Sequence, residues 1–182
     1  MPIKKTENGF TLIEVLIVVA IIGILAAMLI PNAITAIQKT KQKSTMKEIL
    51  SMATAALDYA MDNGEWTINQ AGDIDSACDF VQAITPFYLK ICPVVDYWGE
   101  PYKVYVGSQA AVRSIRDEDV GPEDLVIESY GRDGISDGWI YEPATPEDDF
   151  YTVDGLPAFK RDIVNWNGSW IRAPRVALPP GS

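Results

Sequence analysis

The densest run of chemically capable side chains is Ser129-Tyr130-Gly131-Arg132-Asp133-Gly134-Ile135-Ser136-Asp137-Gly138. Closely spaced Asp, Ser and Gly allow carboxylate, hydroxyl and carbonyl oxygens to converge, as the hard Ca²⁺ ion requires with its roughly 6–8 oxygen ligands. The stretch lacks the loop pattern and closing Glu of an EF-hand. Asp-Gly pairs also mark tight turns, so on these residues alone a turn and a cation loop both stand. A second candidate is Glu14, an ionisable side chain in an otherwise apolar run. Such a group costs at least ~2.5 kcal/mol at the centre of a membrane and less toward an end, so it is either functional and partnered or hydrated at the interface. Histidine is absent. That removes the commonest general base, the Ser-His-Asp and Cys-His arrangements and every zinc site that needs imidazole. No nucleophile constellation takes their place, so the chain is expected not to be an enzyme.

The formal charge of −10 over 182 residues is uneven. Residues 1–62 carry +1, whereas residues 63–182 carry −11. An acidic chain of this kind lacks the basic footprint that replaces counterions on phosphate, so no nucleic-acid partner is expected.

These residues must be positioned by a small number of elements. Val15–Ile30 has no polar residue, and the 21 residues Phe10–Ile30 would span about 31 Å as a helix, enough for a bilayer core. Lys4 and Lys5 precede the run, which places the N-terminus in the cytoplasm and the bulk of the chain outside. Pro31 is expected to kink or loosen the helix. Asn32–Asp62 then has no Pro or Gly and continues it, with Met46, Ile49, Leu50, Ala53, Ala56, Leu57 and Ala60 forming one apolar stripe. Lys39, Lys41, Lys43 and Lys47 are either a solvated, lipid-facing stretch or cations that meet acidic surfaces of other copies. Asp62-Asn63-Gly64 supplies a stop.

Beyond it, Asp75–Phe87 reads as a short packing helix, with Cys78 and Cys92 flanking it in an oxidising space. A structural disulfide between them would close a loop of 15 residues, worth ~3 kcal/mol; a redox role is the sharper alternative, without a Cys-x-x-Cys spacing to support it. Lys103–Val106 and Leu125–Ser129 alternate as strands, which gives an α+β architecture: a long N-terminal transmembrane and amphipathic helix packed against a small antiparallel sheet. The Arg172–Ser182 tail, rich in Pro and small residues, reads as extended and loosely held.

The order of a basic leader, Gly9-Phe10, Glu14 and the apolar run resembles the type IV pilin and pseudopilin family. The run Trp98-Gly99-Glu100-Pro101-Tyr102 makes it most similar to the major pseudopilins of type II secretion. The resemblance implies a leader 1–9 that prepilin peptidase removes after Gly9, methylation of the new amine on Phe10, and pairing of Glu14 with that amine on a neighbouring copy. It divides the chain into a filament-core helix 10–30, its amphipathic continuation 31–62 and a periplasmic domain 63–182, with Trp98 and Tyr102 as core aromatics. It also implies a homo-oligomeric helical filament based in the inner membrane and reaching into the periplasm. Minor pseudopilins, an inner-membrane assembly platform and its cytoplasmic ATPase would be the partners. The alternative within the family is a type IV pilin building a surface fibre. Ser129–Gly134 and Asp162-Ile163-Val164-Asn165-Trp166 match the two halves of the family's calcium loop, implying Ca²⁺ on Asp133, Asp162 and Ser129. The connecting residues 135–161, with the acidic Glu147-Asp148-Asp149, are longer than the family pattern and open the ligand set to change.

Overall fold

The computed structural model describes residues 9–112, 115 and 119–175, so most of the leader, including Lys4 and Lys5, and residues 176–182 lie outside it. The first element, α1, runs over Leu12–Asn63. It continues across Pro31, which withholds a single backbone donor, and the Thr35 hydroxyl donates to the Pro31 carbonyl at 3.1 Å. The stop falls where the sequence places it. Gly64 adopts φ +77° and its N–H donates to the Ala60 carbonyl at 2.8 Å, the left-handed closure that glycine permits.

Two compact units follow from the contacts, 1–37 and 38–182. In the first, the apolar side chains from Phe10 to Ile37 are exposed almost throughout. Among the described residues, α1 is the one helix long and apolar enough to cross a membrane.

In the second unit the buried face of α1 carries Gln42, Thr45, Ile49, Met52, Ala53, Ala55 and Ala56. This corrects the expected stripe at one end: Leu50 is 42 % exposed, because it lies one residue, about 100° of helical rotation, from Ile49 at the centre of the face. Opposite lies a six-stranded sheet built from β1 (Ala71–Asp73), β2 (Lys103–Val106), β3 (Leu125–Ser129), β4 (Phe150–Thr152), β5 (Ile163–Trp166) and β6 (Ser169–Arg175), in the order β1-β2-β3-β5-β6-β4. All neighbours are antiparallel except β4 and β6. Strand periodicity divides the residues between two cores. Val104, Val106, Leu125, Ile127 and Ile163 join the α1 face and the short helix α2 (Asp79–Ile84), while Tyr105, Val126, Val164 and Ile171 face the other side with Ala110 and Ile115.

The α+β architecture, the first two expected strands and the packing helix are present, the last shortened to six residues. Tyr102 is fully buried and its hydroxyl donates to Glu48 at 2.7 Å, whereas Trp98 is half-buried with its indole N–H donating to Gln38 at 2.7 Å. Of the tail expected to be loosely held, Arg172–Arg175 belong to β6, held by antiparallel pairing to β5 and parallel pairing to β4, and residues 176–182 lie outside the described residues. Cys78 and Cys92 are free thiols rather than a disulfide. Burial first, then Cys78 and Glu48, pushes the Cys92 thiol up to about 12.

Candidate functional site

At the start of α1, Phe10 is 86 % exposed and Glu14 occupies the third helical position. The Glu14 carboxylate accepts from the Thr11 N–H and the Thr11 hydroxyl, both at 2.8 Å, and the Glu14 N–H donates back to the Thr11 hydroxyl at 3.3 Å. This is a capping box, Thr-x-x-Glu, in which side chains satisfy backbone donors left over by the first turn. In the single chain Glu14 is thus held by its own helix terminus. Thr11 is the residue that the sequence reading missed, and the signal was a Thr three positions before a Glu.

The second site forms where β3 hands over to a turn. Gly131 has φ +68°, and a Cβ there would lie 2.8 Å from both the Phe159 and Arg161 carbonyl oxygens. Glycine at this position therefore lets Ser129–Gly134 press against the residues just before Asp162, and the two separated sequence segments do meet. The three expected ligands are nevertheless given different partners. The Ser129 hydroxyl donates to Asp96 at 2.6 Å, and the other Asp96 oxygen accepts the N–H groups of Trp98, Gly99 and Glu100. Asp133 pairs with Lys160 at 3.5 Å. Asp162 is fully buried, and its Oδ2 accepts from the Ser136 hydroxyl at 3.3 Å and the Asp137 N–H at 3.1 Å.

Asp162 Oδ1 is buried with no hydrogen-bond partner among the described residues. Burial first, then the neighbouring Asp137 carboxylate and the more distant charge of Glu128, pushes the Asp162 carboxyl up to about 8. Asp137 in turn is bound by Arg172, whose guanidinium also approaches Asp149 at 3.8 Å. Among the described residues no group of three carboxylates or cysteines converges as a preformed metal cluster. Asp162, Ser136 and Asp137 are joined by hydrogen bonds and carry hard oxygen atoms, one Asp162 carboxylate oxygen being unsatisfied among the described residues, which is the donor chemistry Ca²⁺ takes. Ser136 and Asp137 stand inside the run singled out from sequence. Their role there was hidden because the fold, not the spacing, turns them back onto Asp162.

The prokaryotic N-terminal methylation motif matches residues 4–30, the segment that contains Gly9, Phe10 and Glu14. The type II secretion system core protein G of Aeromonas hydrophila is 31 % identical over 108 residues, covering 56 % of this chain and 74 % of that protein. Its counterpart from Pseudomonas aeruginosa is 30 % identical over 149 residues, covering 74 % of this chain and 90 % of that protein. The chain belongs to the type II secretion system core protein G family. As a core protein G it is a pseudopilin, a structural subunit and not an enzyme. It also resembles the type IV wide pilus major component of Thermus thermophilus, 46 % identical over 68 residues, 37 % of this chain and 51 % of that one. No solved structure gives a match. The core protein G similarity spans both the methylation motif and the sheet domain that carries Asp162.

Proposed function

We propose that the chain is processed after Gly9, stored in the inner membrane with its N-terminus in the cytoplasm, and drawn into a helical pseudopilus that drives protein export through a type II secretion system. The observation that carries this reading is the exposed apolar helix beginning at Phe10 with Glu14 in its first turn, inside a methylation motif. Hydrolysis of the Gly9–Phe10 peptide bond would free an amine one helical turn from Glu14. That amine, methylated and cationic, is the natural competitor for the carboxylate now held by Thr11, and offered by a neighbouring copy it would compensate Glu14 in the apolar interior. Association in which the two contacting patches differ does not close on itself and yields a fibre. Prepilin peptidase, minor pseudopilins, an inner-membrane platform and its cytoplasmic ATPase are the partners that such a subunit requires. The core protein G likeness, which reaches 89 % of one relative, supports a pseudopilus over a surface pilus, for which the likeness covers 37 % of this chain.

A structural Ca²⁺ belongs to the same reading. Asp162 would hold it with Asp137 and Ser136, and the ion would supply the positive charge that the buried carboxylate lacks. Asp133 and Ser129, engaged by Lys160 and Asp96, would support the turn around it.

The test is to express the full chain with its export machinery and determine the mature N-terminus by mass spectrometry. A protein beginning at Phe10 with one added methyl group, recovered in filaments, is the expected outcome. An intact leader on filament-free protein would overturn the reading.

A further inference from the structure

An acidic chain that polymerises must bring like-charged copies together, so the places where it keeps unneutralised cations are informative. Three cations of the sheet domain are spent internally: Lys103 on Asp73, Lys160 on Asp133, and Arg172 on Asp137 and Asp149. Lys39, Lys43 and Arg175 are different. All three are exposed, none forms an ion pair among the described residues, and they converge on one groove of about 410 Å³ between α1 and the ends of β4 and β6. Met46, Val153 and Pro174 give the groove an apolar floor. Lys39 and Lys43 stand one helical turn apart, roughly 6 Å, a spacing that two adjacent carboxylates can meet.

The same domain carries a matching feature. Glu147 and Asp148 are adjacent, exposed and without an ion pair among the described residues, on the 3-10 turn Pro146–Asp149. Other adjacent acids differ: Glu123 adjoins Asp124, which is half-buried and accepts from Gly121 and Asn167, and Asp149, the next residue after Asp148, is approached by Arg172. We propose that the Lys39–Lys43–Arg175 groove is a docking surface for the Glu147–Asp148 turn of a second copy of this chain. The inference rests on the filament reading above. Groove and turn are different patches, so the contact is head-to-tail, as a non-closing polymer demands. Opposite charges at its edge would set register and favour the correct encounter between copies that otherwise repel.

Carbodiimide, which joins lysine amines directly to carboxylates, is applied to filaments assembled from an equal mixture of isotopically light and heavy full-length chains. Mixed-isotope links between Lys39 or Lys43 and Glu147 or Asp148 are expected. In parallel, Lys39→Glu with Lys43→Glu should lower filament yield about tenfold while leaving the amount of chain in the membrane unchanged, and adding Glu147→Lys with Asp148→Lys should restore most of it. Wild-type filaments without mixed-isotope links, or a quadruple variant as poor as the double, would overturn the docking surface and leave the filament subunit standing. Wild-type chains that form no filament would overturn both.

Discussion

Replacing Asp162 by Asn tests the site at its most unusual atom. Asn keeps an oxygen to accept from Ser136 and the Asp137 N–H, and offers an amide donor toward the Asp137 carboxylate in place of a second negative charge. The wild-type carboxyl is raised in the folded chain from 3.8 to about 8. A group raised on folding contributes stability that is complete below its unfolded pKa and is lost as pH rises through the folded one. Wild-type stability without calcium should therefore fall between about pH 4 and pH 8. At ~1.4 kcal/mol per pKa unit the span has a ceiling of about 6 kcal/mol, and relaxation around the buried carboxyl lowers the expected change to about 1–3 kcal/mol. Asp162→Asn should flatten that slope and, in chelator at pH 7.5, raise the stability of the detergent-solubilised chain by about the same amount. Calcium reverses the ranking. An ion that binds only the folded form adds about 2.7 kcal/mol at a hundredfold excess over its Kd, and the wild type should gain this while the variant does not. The assay is thermal unfolding followed by near-ultraviolet circular dichroism, from pH 4 to 8, with calcium and with chelator. A wild-type profile flat across that range, or an Asn variant that loses the same stability in both media, would refute the reasoning.

Gly131→Ala should cost more than about 2 kcal/mol, because its Cβ meets two fixed carbonyl oxygens at positive φ; Gly134→Ala should cost less, since its nearest neighbour is the movable end of Glu100. Denaturant midpoints measure both, and equal losses would contradict the assignment. Ile49→Ala should lose about 2–5 kcal/mol and the half-exposed Leu50→Ala less than about 1, which the same titration checks. With its thiol pushed up to about 12, Cys92 should resist iodoacetamide at pH 7 while Cys78 is modified; equal labelling, or labelling of neither, would count against the free-thiol arrangement. Glu14→Gln retains a capping acceptor but no charge, so filament loss in both Glu14→Gln and Glu14→Ala, with thermal unfolding unchanged, assigns the effect to charge; normal filaments from the Gln variant would make the cap sufficient.

The long helix was legible because its signals are local: an uninterrupted apolar run, a Pro- and Gly-free continuation and the Asn63-Gly64 stop. β2 and β3 were legible for the same reason, as short alternating runs bounded by turns. β1 and β4 were not, since three residues such as Ala71-Gly72-Asp73 have no periodicity of their own and become strands by pairing. β5 was hidden in the segment read as a ligand motif, and the end of β6 in a tail, Arg172–Ser182, whose Pro and small residues read as extended and loosely held. The candidate site divides in the same way. Types and order marked Ser129–Gly138 and Asp162, but the partners of each depend on contacts across the sheet. Asp96 captures Ser129 from 33 residues away, and Lys160 captures Asp133, leaving Asp162 to Ser136 and Asp137.

The outermost strands of the sheet are β1 and β4, each three residues long. An open strand edge is a template on which another chain can add, and a protein crowded into a membrane or fibre would meet that hazard constantly. Here one edge contains a glycine and an aspartate already bound by Lys103, and the other ends after Thr152. Neither is long enough to nucleate a cross-chain ladder. The fold thus suppresses the amyloid-like route to a fibre and leaves helix-driven assembly as the favoured one.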